Sequence, residues 1–315
     1  MIFRTQIPIK KVDNQIDYDS KVMLFGSCFA ENIGNKLNYF KFQNTINPFG
    51  ILFHPKAIEN LITNSINQKK YTKKDLFYYK EQWHCVEAHS ILSNSSKNVL
   101  LSRLNEDGNS IHHQLHSSTH LIITVGTAWV YRFIETDTVV ANCHKVLQKK
   151  FLKELLTIDE IVASMEAIIS LVKSINEKVE IIFTVSPVRH LKDGFTENSL
   201  SKAHLISAIH QVVEPRKSTH YFSSYEIMMD DLRDYRFYKN DMLHPNETAI
   251  NYIWQQFTNT WINEKSFDLM KDIDTIQKGL SHKPFNANSE EHQQFLSQLN
   301  RKIDAVIQKH PLIKF

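Results

Sequence analysis

The sequence predicts an α/β fold, a parallel sheet with helices on both faces in three layers, followed by a C-terminal helical appendage. Three observations predict it. Short apolar runs, Val22-Met23-Leu24-Phe25, Leu121-Ile122-Ile123 and Ile181-Ile182-Phe183, have the length and lack of alternation of strands buried on both faces. Segments with apolar residues at helical spacing separate these runs across residues 21–263. The runs lead to Ser27, Thr127 and Ser186-Pro187, at the carboxyl ends of strands, where such sheets hold their sites.

Each element has its own reason. Residues 1–20 are polar and irregular, with Ile2, Phe3 and Ile7-Pro8-Ile9 expected on the surface of the core. Residues 21–26 form a buried strand. After Ser27, Ala30, Ile33, Gly34 and Leu37 recur at helical spacing, with Glu31 near the positive helix end. Ser27 therefore stands at a strand-to-helix turn, where free N–H groups can face an anion. Phe40 to Thr45 alternates like a strand, and Asn47-Pro48-Phe49-Gly50 breaks it. His54-Pro55 opens a helix through about Asn67, with Ala57, Ile58, Leu61 and Ile62 on one face.

Residues 70–92 are aromatic and mixed, which suggests a hairpin or an insertion. Residues 96–118 read as an amphipathic helix interrupted at Asp107-Gly108. His120 to Thr127 is the clearest buried strand, and Trp129-Val130-Tyr131-Arg132 continues past it. Thr157, with Glu160 three residues later, caps a helix over 157–175. Residues 178–185 form another buried strand, 198–214 a helix, and Tyr221 to Ile227 a weaker strand. A loop carrying Asp241 and His244 follows. A helix then runs from Pro245 to about Asn263, with Ile250, Ile253, Trp254, Phe257 and Trp261 on one side. These elements define a domain over 1–265. The tail, 266–315, is polar but carries Phe295, Leu296, Leu299, Ile303 and Ile307 at helical spacing. It is expected to pack on the domain or to join two copies as a homodimer.

Bulk properties exclude several classes. Of 315 residues, 42% are hydrophobic and 23% charged, which is ordinary globular composition. Lys+Arg 37 against Asp+Glu 34 gives a net charge of +3, and the basic residues are scattered rather than striped, so no nucleic-acid partner is expected. Three cysteines, Cys28, Cys85 and Cys143, do not make a disulfide framework and suit a reducing compartment. The N-terminus lacks an apolar leader, and no apolar run approaches the ~18 residues of a membrane span. The expectation is a cytoplasmic protein without a membrane partner. His112, His113 and His116 lie at helical spacing without an acidic or Cys neighbour, so no metal site is assigned to them.

The chemistry lies in two distant segments. Gly26-Ser27-Cys28 offers a serine, and Asp241-Met242-Leu243-His244 offers an Asp and a His on one short loop. A serine hydroxyl is a weak nucleophile near neutral pH and needs a base, which in turn needs an orienting carboxylate. The serine segment spells Gly-Ser-Cys-Phe-Ala. With Asn47-Pro48-Phe49-Gly50, Thr124-Val125-Gly126-Thr127-Ala128, Asn142-Cys143-His144-Lys145, Ser186-Pro187-Val188-Arg189-His190 and the run from Tyr225 to Pro245, it resembles the signatures of the GSCFA family. That family is a bacterial branch of the SGNH (GDSL-like) hydrolases, and the resemblance covers most of residues 20–265.

The resemblance implies an SGNH-type fold and site. Ser27 would be the nucleophile, His244 the general base and Asp241 its orienting partner. The oxyanion hole would use the amides of Ser27 and Gly50 and a third donor, an asparagine in the pattern Gly-x-Asn. Here Gly126-Thr127 is followed by Ala128, so Thr127, Asn47 and Asn142 are the candidates for that donor. His144, Arg189 and His190 are candidate substrate-binding residues, with an ion pair to Asp234 or Glu226 as the alternative for Arg189. Tyr235, Arg236, Phe237 and Tyr238 could wall the site. Cys28 is read as packing. The implied activity is hydrolysis of a small O-acyl group, acetyl first, from a carbohydrate-like ester, through an acyl-enzyme and without a metal or cofactor. Acyl transfer from the same site and a non-catalytic binding module are the alternatives.

Overall fold

The computed structural model describes residues 5–315, so Ile2 and Phe3 lie outside the described residues. In chain order the first half forms β1 (Lys21–Gly26), α1 (Cys28–Tyr39), β2 (Gln43–Ile46), α2 (Pro55–Ile66), β3 (Phe77–Tyr79), β4 (Gln82–His84) and α3 (Lys97–Ser117). The middle forms β5 (His120–Val125), β6 (Trp129–Phe133), β7 (Thr138–Val140), β8 (Phe151–Leu155), α4 (Ile158–Ile175), β9 (Glu180–Val185) and α5 (Phe195–Val212). Then come β10 (Thr219–Tyr221), the short turn α6 (Ser224–Glu226), α7 (Glu247–Trp261), α8 (Phe267–Ser281) and α9 (Glu290–Lys309).

Five parallel strands make the central sheet, in the order β10-β9-β5-β1-β2. Side chains alternate across it, as the pleat requires. Met23, Phe25, Leu121, Ile123, Ile181 and Phe183 point into one core, shared with α2, α3, α4 and α5. Val22, Leu24, Ile122 and Ile182 point into the other, shared with α1 and α7. The three layers follow from this alternation.

The structure corrects several details of the sequence reading. Trp129–Phe133 does not extend β5. The chain turns away at Gly126, and β6 joins a separate antiparallel sheet of order β7-β6-β8. Residues 70–92 do contain a hairpin, β3-β4. Helix α3 runs unbroken through Asp107 and Gly108. A Cβ on Gly108 would meet nothing within 4 Å, so this glycine fills no packing role and weakens the helix by only about 1 kcal/mol. The last strand is three residues long and ends at Tyr221. It stops there because Thr184 Oγ1 donates to the Phe222 carbonyl at 2.6 Å and Ser224 Oγ donates to the Val185 carbonyl at 2.8 Å, which turns the chain into helical geometry. Helix α7 begins after Pro245, capped by Asn246, whose side chain accepts from Ala249 N–H.

The tail is helical and packs on the domain. Asp274 and Gln277 of α8 bond the Tyr39 hydroxyl and carbonyl at 2.9 and 3.0 Å. Ile273, Ile276, Leu299, Val306 and Ile313 close a small core of their own. Among the described residues no helix is long and apolar enough to cross a membrane, and no group of three His, Cys, Asp or Glu side chains could hold a metal.

Candidate active site

Ser27 is placed by a glycine. Gly26 has φ +137, and a Cβ there would lie 2.0 Å from the Thr124 carbonyl oxygen of β5. Only glycine lets β1 end this tightly against its neighbour. The next residue, Ser27, is fully buried and caps α1, its Oγ accepting from Phe29 N–H at 3.3 Å.

Asp241 and His244 form one unit. Asp241 Oδ1 accepts from the N–H groups of Leu243 and His244 at 2.9 and 3.0 Å, and Oδ2 accepts from His244 Nδ1 at 2.7 Å. The backbone donors of His244 and Leu243, then the ring itself, hold Asp241 down to about 2. The aspartate is thus ionised, and His244 Nε2 is the ring nitrogen left to accept a proton. The loop is anchored to the sheet end: Arg189 N–H donates to the Leu243 carbonyl at 3.2 Å. Both side chains remain about half exposed. Ser27 Oγ and His244 are not hydrogen-bonded to each other; the partner of Oγ is Phe29 N–H.

Gly126 and His190 lie between the two units. A Cβ built on Gly126 would sit 3.5 Å from Ser27 Cβ and 3.0 Å from His190 Nε2. The imidazole of His190 therefore borders the serine across the space that glycine leaves open. Burial, then Lys202 and His244, lower His190 to about 3, so it is neutral. Its Nε2 is buried without a hydrogen-bond partner.

Helix α5 supports this arrangement through a stripe that sequence reasoning missed. Its buried side is apolar toward the C-terminal end, at Leu205, Ala208 and Ile209, but polar at Asn198, Ser201 and Lys202. Asn198 Oδ1 accepts from His190 N–H at 2.9 Å. Ser201 Oγ accepts from Ala128 N–H at 2.7 Å. Lys202 is 1% exposed, and its ammonium donates to the carbonyls of Gly126 and Ser186, each at 2.7 Å. Burial lowers it to about 7. The ends of β5 and β9 are thereby tied together on either side of His190. The available signal was period: Asn198, Ser201, Lys202, Leu205 and Ile209 share one helical stripe.

The candidate oxyanion donors differ in availability. Ser27 N–H donates to the Thr124 carbonyl at 3.0 Å and Gly50 N–H to the Asn47 carbonyl at 2.7 Å, so both amides are engaged. The Thr127 hydroxyl bonds Ser201 Oγ at 3.1 Å and accepts from Trp129 N–H at 3.0 Å. Asn142 Oδ1 caps the turn by accepting from His144 N–H at 2.8 Å. Asn47 Oδ1 accepts from Gly26 N–H at 2.9 Å, at the residue before the serine, while its Nδ2 is buried with no partner.

The candidate substrate-binding residues separate. His144 is held elsewhere: Nε2 bonds the Cys85 carbonyl at 2.8 Å, and the ring packs against His84 and Phe77. His190 lies in the site and borders a cavity of about 340 Å³, also lined by Phe53, Thr127, Trp129, Asn142 and Asp193. Arg189 stands over the rings of Tyr238 and Tyr235, at 4.3 and 5.3 Å, instead of pairing with Asp234 or Glu226. Cys28 is pushed up by burial and by Glu31, as a packed thiol would be.

Three solved structures are similar to this chain at low identity. A carbohydrate esterase family 3 protein from Talaromyces cellulolyticus is 10% identical, with 80% of this chain and 99% of that chain covered and a TM-score of 0.37. A mutant acetyl esterase solved with acetate ion is 11% identical, covering 81% and 99%, with a TM-score of 0.37. An acetyl xylan esterase from the rumen bacterium Butyrivibrio proteoclasticus is 10% identical, covering 78% and 66%, also with a TM-score of 0.37. No curated protein matches the chain. The profile of the GSCFA domain protein C-terminal domain matches residues 273–315, the two tail helices. The profile of the GSCFA family matches residues 21–257, from the first strand of the sheet to the last turns of α7, and the chain belongs to that family.

Proposed function

We propose that the chain is an SGNH-type serine esterase that removes a small O-acyl group, acetyl first, from a carbohydrate-like ester. The observation that carries this reading is the 2.7 Å bond from His244 Nδ1 to an aspartate kept ionised by two backbone donors. That pairing fixes the tautomer and leaves Nε2 basic, as a serine nucleophile requires. Ser27 Oγ attacks the ester carbonyl carbon and its proton passes to His244 Nε2. The tetrahedral adduct collapses, the alcohol leaves with that proton, and an acyl-Ser27 ester remains. Water, deprotonated by His244, then releases the acid. The bond from Ser27 Oγ to His244 Nε2 forms when substrate binds, as do catalytic bonds that tighten only in the complex.

Two buried polar atoms without partners, Asn47 Nδ2 and His190 Nε2, support a side-chain oxyanion hole. An unpaired buried polar group costs about 1–3 kcal/mol, and with His190 in its Nε2–H tautomer both atoms are donors that favour an acceptor arriving with the substrate. Acyl transfer to a second hydroxyl through the same acyl-Ser27 ester is the other reading. The test is a panel of acyl esters run on the wild type and on Ser27→Ala side by side, with and without a sugar acceptor. Turnover in the wild type and its loss by ~10³-fold or more in Ser27→Ala is expected. Equal turnover in both proteins rejects the mechanism.

A further inference from the structure

We propose that the ester substrate carries an anionic group, a carboxylate or a phosphate, and that Arg189 recognises it. This rests on the esterase reading and narrows its substrate. The guanidinium lies over Tyr238 and Tyr235, at 4.3 and 5.3 Å from their ring centres. Stacking of this kind uses the face of the guanidinium; the Tyr238 hydroxyl takes one of its N–H donors, and the others keep the edge that fits a carboxylate or phosphate. Among the described residues no carboxylate takes up those donors. The two nearest in the sequence logic are engaged elsewhere: Asp234 with Arg236 at 3.1 Å, and Glu226 with the Tyr221 hydroxyl at 2.7 and 2.8 Å.

The position suits a substrate contact. Arg189 precedes His190, whose Nε2 borders Ser27 across Gly126, and its N–H holds the Leu243 carbonyl beside the catalytic-base candidate. The surroundings share its sign. Lys192 lines the adjoining cavity, and Lys239 lies on the His244 loop, its N–H donating to the His244 carbonyl at 2.7 Å. Neither lysine has a carboxylate partner among the described residues, whereas Asp193 in the same cavity is neutralised by Lys153 at 2.7 Å. A cleft with unpaired cations at its mouth gathers anions.

The test compares three probes: a neutral O-acetyl hexose, an O-acetyl hexuronic acid and an O-acetyl hexose phosphate. Each is assayed with wild type, Arg189→Met and Arg189→Lys, and binding of the three deacetylated sugars is measured by calorimetry on the same proteins. One or both anionic esters should have a KM at least ~10-fold below the neutral one in the wild type. Arg189→Met should erase that advantage, bringing the anionic esters to the KM of the neutral one, and Arg189→Lys should keep part of it. The two anionic arms separate carboxylate from phosphate. Equal KM for all three esters in the wild type overturns the inference while the esterase reading stands. So does an equal loss on all three in Arg189→Met, which assigns Arg189 to holding the loop. If no ester is cleaved, Arg189-dependent binding of an anionic sugar keeps the inference and removes the esterase reading, and absence of that binding overturns the inference as well.

Discussion

Gly126→Ala should damage activity and spare the fold. The added methyl would sit 3.0 Å from His190 Nε2, 3.4 Å from the Phe53 carbonyl oxygen and 3.5 Å from Ser27 Cβ. The last two are ordinary contacts, and Gly126 does not have the left-handed φ that would strain an alanine. The first is too short by about 0.4 Å, so the imidazole must retreat by that much. A displacement of 1 Å in a catalytic constellation can cost ~10²-fold, so about 0.4 Å, with a methyl filling the gap beside the serine, should lower kcat/KM about tenfold. That is ~1.4 kcal/mol of transition-state stabilisation. The melting midpoint should stay within about 2 °C of wild type, since alanine restricts the unfolded chain and clashes with no backbone. Gly26→Ala is the contrast. There the Cβ would meet a backbone oxygen at 2.0 Å at φ +137, so a loss of about 3 kcal/mol or more and a midpoint lower by about 5 °C or more are expected. Steady-state kinetics on an ester found in the panel, with a thermal melt, reads both. Unchanged kcat/KM in Gly126→Ala would refute the view that the space between His190 and Ser27 is where the ester reacts.

Two further perturbations have definite outcomes. Asp241→Asn removes the anion that fixes the His244 ring, and kcat/KM should fall ~10²–10⁴-fold with little change in folding, because the loop is half exposed. Asp241 has a folded value of about 2 against 3.8 ordinarily, so its contribution to stability is present above about pH 4 and lost as pH falls toward 2. The variant should lack that acid slope in denaturant melts, and retention of full activity in it would remove Asp241 from the mechanism. Lys202 is lowered by burial from 10.5 to about 7, so between these values the unfolded chain binds the extra proton. Wild-type stability should rise relative to Lys202→Met as pH increases from about 7 to about 10, read as the difference in denaturation midpoints. A constant difference across that range means Lys202 keeps its ordinary proton affinity in the fold.

The fold was legible where one residue pattern had one physical outcome. The buried runs ending at Gly26, Val125 and Val185 could only be central strands, and the Thr157–Glu160 capping box marked the start of α4. Trp129–Phe133 misled because a strand leaving one sheet for another keeps the same local pattern; its partners, β7 and β8, both lie later in the chain, outside the central sheet. The strand expected through Ile227 failed because the side chains of Thr184 and Ser224 satisfy the carbonyls that a longer ladder would have used. In the candidate site, Ser27, Asp241 and His244 are proposed from residue types together with the resemblance to the GSCFA family. Their supports could not be, because a lysine reads as a surface residue until its two carbonyl partners, from distant strands, are known. The surroundings of His144 were equally hidden: its ring packs against Phe77 and bonds the Cys85 carbonyl, partners from distant segments.

The central claim is that Ser27 is a nucleophile activated by His244. A fluorophosphonate ester incubated with the folded protein, followed by digestion and mass spectrometry, tests it without knowledge of the substrate. The account predicts one covalent adduct, on the peptide containing Ser27, formed much more slowly in His244→Ala and absent in Ser27→Ala. A folded protein that takes up no label, or carries it elsewhere, contradicts the claim.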